Sequence, residues 1–134
     1  MPPARKPKLA PYLVVKNAAG LINFVEKALG GKLTFIEKAA DGRIHHAEIK
    51  VADSLVMLAE VPAGRDPFPA MLHLYVPDVD ATYKKAMNVG AISVREPADQ
   101  PDGDRRGGVR DAWGNEWWLS TPGKKSGRGS GSLE

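Results

Sequence analysis

The chain has 134 residues, 43% hydrophobic and 26% charged, with no cysteine; this fits one soluble domain with a real core and excludes disulfides, a thiol nucleophile and thiolate metal sites. No apolar run approaches the roughly 18 residues of a membrane span, and Met1 to Lys6 lacks the apolar stretch of a signal peptide, so a cytoplasmic protein with no membrane partner is expected. The net charge of +3 comes from the ends, Arg5, Lys6 and Lys8 on one side and Lys124, Lys125 and Arg128 on the other, which leaves residues 9–122 at about −2 and makes nucleic acid an unexpected partner.

Residues 1–8 read as a flexible basic tail. Leu9 to Lys16 is short and β-rich, a strand by composition. Asn17 can cap a helix whose Leu21, Ile22, Val25, Ala28 and Leu29 recur at the spacings of one buried face, and Gly30-Gly31 ends it. Lys32 to Glu37 reads as a second strand and Asp41-Gly42 as a hairpin turn. Arg43 to Val51 and Leu55 to Ala59 follow as third and fourth strands. A Pro- and Gly-bearing linker over 61–70 separates this first module (9–60) from a second (71–121).

The second module repeats the order. Met71 to Val76 reads as a strand, Asp78 to Val89 as a helix stopped by Gly90, and Ala91 to Glu96 as a strand. Pro97 to Gly103 reads as a loop, with final strands over Arg106 to Arg110 and Asn115 to Thr121. Asp111 to Asn115 is the connecting turn, with Gly114 suited to positive φ. Residues 122–134 form a Gly/Ser/Lys tail expected to be flexible; its last four residues, Gly-Ser-Leu-Glu, have the make-up of a cloning scar.

The two halves match at an offset of 61: Asp41-Gly42 answers Asp102-Gly103, and Leu55 to Leu58 answers Glu116 to Leu119. Such a period means two copies of one supersecondary unit. The expected fold is α+β, two βαβββ modules in tandem forming a curled mixed sheet around a cleft, and the cleft is where function is expected.

The paired modules, the opening Pro11-Tyr12-Leu13-Val14-Val15, the His46-Ala47-Glu48 strand and the run Gly103 to Trp118, with its Asp111-Ala112-Trp113-Gly114 turn, resemble the vicinal oxygen chelate superfamily. That superfamily includes glyoxalase I, extradiol dioxygenases, fosfomycin-resistance enzymes and bleomycin-binding proteins. The similarity covers residues 9–121 and leans toward the small PhnB-like and bleomycin-resistance-like branch. It implies a glyoxalase-like fold and, as in many relatives, a homodimer. In metal-dependent members each module gives two ligands to a divalent ion, one from its first strand and one from its last. That pattern falls here on Ala10, Met57, Met71 and Trp118, related in pairs by the offset of 61. None offers imidazole or carboxylate to a hard cation, so no metal and no cofactor is expected.

Period-2 alternation sorts each strand into a face toward the helix and a face toward the cleft. It lines the cleft with Tyr12, His46, Glu48, Met57, Met71, His73, Tyr75, Glu116 and Trp118. Aromatic and thioether side chains with a few polar groups suit a small, aromatic or cationic molecule. The leading expectation is therefore a non-metallic protein that binds or sequesters such a molecule. The alternative is a lyase, isomerase or dioxygenase-type enzyme, with a displaced metal site at His46, Glu48 and His73 or a metal-free acid–base pair of His46 and Glu48. His45, of opposite parity, reads as a packing or surface residue. Arg105, Arg106 and Arg110 could clasp an anion, but pairing with Asp104, Asp111 or Glu116 is the stronger expectation.

Overall fold

A computed structural model describes residues 8–123. The expected tails therefore lie, but for residues 8, 122 and 123, outside the described residues. The chain divides after Phe68 into two compact units. The first runs β1 (Tyr12–Val15), α1 (Ala18–Leu29), β2 (Lys32–Lys38), β3 (Ile44–Val51) and β4 (Ser54–Glu60). The second runs β5 (Met71–Tyr75), α2 (Val79–Asn88), β6 (Ile92–Asp99), β7 (Arg105–Arg110) and β8 (Glu116–Thr121). Each unit is a four-stranded mixed sheet with one helix, in the orders β1-β4-β3-β2 and β5-β8-β7-β6. This is the α+β arrangement of tandem βαβββ modules that the repeat implied.

In each sheet the first and last strands of the unit pair in parallel, and the remaining neighbours are antiparallel. The registers obey the offset of 61: Tyr12 lies opposite Met57 and His73 opposite Trp118, and Leu13 opposite Leu58 answers Leu74 opposite Leu119.

α1 forms where the sequence places its apolar stripe. Ala18, Leu21, Ile22, Phe24, Val25 and Ala28 are buried and meet Leu13, Val15, Ala47, Ile49, Val51, Val56 and Leu58 from the sheet. Burial of side chains such as Leu21, Ile49 and Leu58 contributes about 1.5–3 kcal/mol each. Leu29, expected on that face, is only half-buried, whereas Phe24 belongs to it. The start of the helix is capped twice. Asn17 accepts from Gly20 N–H, and Glu60, the last residue of β4, accepts from the backbone N–H groups of Asn17 and Ala18 at 3.1 and 2.7 Å. The parallel pairing of Val15 with Glu60 brings that carboxylate to the helix N-terminus, where negative charge is favourable. Gly30, at φ 69°, closes the other end.

α2 is capped by Asp78, which accepts from Ala81 N–H. Strand boundaries shift by up to three residues from expectation. The largest correction is at β6: it continues through Pro97 to Asp99, where the sequence suggested a loop from Pro97. Ala98 and Asp99 still pair with Arg106 and Arg105. Proline is tolerated there because β6 is an edge strand with a register shift between Arg95 and Ala98. β1 is correspondingly shorter than its β-rich stretch.

A candidate functional site on the helix-free sheet faces

In the first unit, alternation sends Leu13, Val15, Ala47, Ile49 and Leu58 into the core and leaves Tyr12, His46, Glu48 and Met57 on the face away from α1. Register does the rest. Tyr12 lies opposite Met57 and Met57 opposite Glu48, so one row crosses β1, β4 and β3, with His46 two residues back along β3. The polar members form a continuous chain: Tyr12 Oη is 2.9 Å from His46 Nδ1, and His46 Nε2 is 2.9 Å from Glu48 Oε2.

Exposure grades along this chain. Glu48 is buried at 7%, His46 is intermediate, and Tyr12 is 44% exposed. Phe35 of β2, 48% exposed, sets its ring 5.9 Å from that of His46, while the Tyr12 and His46 rings are 5.5 Å apart. Burial, and after it the charge of Glu48, raises the Tyr12 phenol above its ordinary value, so Tyr12 keeps its proton through neutral pH. Phe35 was not among the residues sequence reasoning assigned here. Its parity is obscured by the register shift between Leu33 and Phe35, so counting by twos along β2 does not find it. His45 is exposed and approaches Glu37 at 3.4 Å, a surface residue as expected.

In the second unit the corresponding face carries Met71, His73, Tyr75, Glu116 and Trp118. His73 and Tyr75 rings are 4.9 Å apart, and His73 Nε2 lies 2.9 Å from the Oγ of fully buried Ser120. Arg106 donates from Nε to the same Oγ and from Nη2 to Asp102 and Asp104. Glu116 accepts from Trp118 Nε1 at 3.1 Å and from Arg110 at 2.9 Å. Arg110 first, and Trp118 after it, hold the Glu116 carboxyl below its ordinary value. Alternation also turns Ser120 to this face with Trp118, although it was not counted among the cleft residues, and Arg106 was not assigned here from sequence.

The arginines are therefore paired. Arg105 reaches Asp80 and Asp99, Arg106 Asp102 and Asp104, and Arg110 Glu116. Asp111 pairs with none of them. Instead it accepts from Trp113 N–H, Asn115 N–H, the Asn115 amide and Trp117 Nε1. A glycine is required at one point: a β-carbon at Gly108 would lie 2.9 Å from Trp118 Cε3, so the indole can rest on β7 only where there is no side chain.

The four positions that the resemblance assigns to metal ligands carry no side chain suited to a divalent ion. Ala10 presents a methyl group, Met57 and Met71 thioethers, and Trp118 an indole N–H that donates to Glu116. Among the described residues there is no group of three or more His, Asp or Glu side chains suited to a metal. Both ring nitrogens of His46 are engaged by Tyr12 and Glu48 instead.

The sequence model of the Glyoxalase/Bleomycin resistance protein/Dioxygenase superfamily matches residues 8–119. An uncharacterised protein of Mycobacterium bovis is 35% identical over 128 residues, which covers 87% of this chain and 84% of the relative. A Mycobacterium tuberculosis homologue has the same identity and covers 87% and 75% of the two chains. Among solved structures, TioX from Micromonospora sp. ML1 superposes with a TM-score of 0.72 at 23% identity, covering 84% of this chain and 96% of that one. A glyoxalase I mutant from Zea mays gives 0.73 at 21% identity, covering 86% of this chain and 46% of that one. Identities this low show a shared fold.

Proposed function

We propose that this chain, which belongs to the Glyoxalase/Bleomycin resistance protein/Dioxygenase superfamily, binds a small molecule without a metal ion, on sheet faces where its relatives' ligand positions have become non-coordinating. One observation carries the reading: beside Met57, one of those positions, the first unit holds a closed Tyr12–His46–Glu48 hydrogen-bonded chain, with the half-exposed rings of Tyr12 and Phe35 at its outer end. Aromatic surface beside a few fixed polar groups is the composition of small-molecule sites. The reading includes a homodimer in the cytoplasm.

Metal analysis of the purified protein, followed by titration with zinc, nickel, manganese and ferrous iron, tests it. No stoichiometric metal should be found, and titration should leave the His46 ring resonances in place. Tight one-to-one binding that shifts His46 or His73 would overturn the reading.

The same hydrogen-bonded chain favours a second, catalytic reading. A ligand proton could pass to Tyr12 Oη as the phenol proton moves to His46 Nδ1, with Glu48 stabilising the imidazolium. Turnover that is lost in His46→Ala while ligand affinity is kept would select this reading over binding alone.

A further inference from the structure

The direction of each hydrogen bond in the Tyr12–His46–Glu48 chain determines what its outer end can recognise. Glu48, as a carboxylate, has no hydrogen to give, so His46 Nε2, at 2.9 Å, carries the hydrogen between them. A neutral imidazole protonated on Nε2 has a bare Nδ1. The partner of Nδ1, at 2.9 Å, is Tyr12 Oη, whose single hydrogen must therefore point inward. The phenol oxygen, on the half-exposed end of the chain, is left with lone pairs alone to offer to solvent.

We propose that this end is a receptor for an organic ammonium group, which donates an N–H to Tyr12 Oη and rests its charge against the exposed rings of Tyr12 and Phe35. The proposal rests on the binding reading above and names the ligand class for the same face.

Three features converge on that class. An acceptor-only oxygen selects donors over carbonyl or carboxylate groups. The buried negative charge of Glu48, conducted outward through two aligned hydrogen bonds, makes that oxygen a better partner for a cation and a poorer one for an anion. Phe35 and Tyr12, both close to half exposed, offer ring faces of the kind that hold ammonium groups. The raised Tyr12 pKa, from burial and from Glu48, keeps the inward proton in place. Lys50, two residues beyond Glu48 on the same strand, is exposed, so solvent screens its charge.

The test is a set of phenyl-bearing probes titrated into the isotope-labelled full-length chain and followed by NMR. The set comprises 2-phenylethylammonium, its N-trimethylated form, 2-phenylethanol and 3-phenylpropionate. The primary ammonium should shift Tyr12, Phe35 and His46 saturably, the trimethylated form should bind more weakly because it has no N–H, and the carboxylate should not bind. Tyr12→Phe keeps the ring and removes the acceptor. It should weaken the primary ammonium on the order of tenfold, the range of a hydrogen bond to a charged group, and leave the trimethylated probe unchanged. Phe35→Ala should weaken both cations.

If the alcohol or carboxylate binds this face as tightly as the ammonium, or Tyr12→Phe leaves ammonium affinity unchanged, the ligand class is wrong while the binding reading stands. If no probe of any charge shifts these residues, both fall.

Discussion

Asp111 directs both carboxylate oxygens at donors of its own turn and of β8: the backbone N–H groups of Trp113 and Asn115, the Asn115 amide and the Trp117 indole, all but the first of them buried. Removing it strands several buried donors at once, each costing about 1–3 kcal/mol. Asp111→Ala should therefore destabilise the protein by about 3 kcal/mol or more in denaturant unfolding, and a loss below about 1 kcal/mol would contradict this account. The sequence marked Asp111 only as part of a family-like turn and a candidate partner for arginine. The indole of Trp117 takes that place, buried at 2% exposure beside the turn, and the arginines pair instead with Asp80, Asp99, Asp102, Asp104 and Glu116. Tyr12 and His46 illustrate the opposite case. Parity placed both on one face, but no count along the chain reveals that residues 34 apart meet at 2.9 Å; that depends on β4 lying between β1 and β3.

At the scale of elements, the repeat and the apolar periodicity located every strand and both helices, because each unit has one buried face and a one-residue slip would turn its core outward. What stayed illegible was set by tertiary pairing. Pro97 broke the sequence pattern but not the edge strand β6. Glu60, at the far end of β4, supplies the cap for α1 only because β1 and β4 run parallel in the observed register. Glu60→Ala leaves the N–H groups of Asn17 and Ala18 without their carboxylate while Asn17 still caps Gly20. The expected loss is about 1 kcal/mol, seen as faster amide hydrogen exchange confined to the first turn of α1. Unchanged protection there would show that Asn17 suffices.

For the whole molecule, basicity and fold are separate properties. The positive charge that gives the chain a pI of about 9.2 lies in residues outside those described, while the body between them is slightly acidic. Trimming to residues 8–123 should abolish any retention on a polyanion such as heparin or duplex DNA; retention that survives trimming would locate a basic surface on the body itself.

The close seat of Trp118 on Gly108 also bears on how two copies of one unit came to differ. By register, Tyr12 corresponds to His73, Glu48 to Gly108 and Met57 to Trp118. A glutamate at position 108 would collide with the indole, so the second copy cannot acquire the first copy's proton-linked chain one substitution at a time. It must first move Trp118, or exchange it for something as slender as the methionine its twin retains, and with it disturb the indole that steadies Glu116. Divergence between the copies is thus held in place like a ratchet, by the bulk of a single ring.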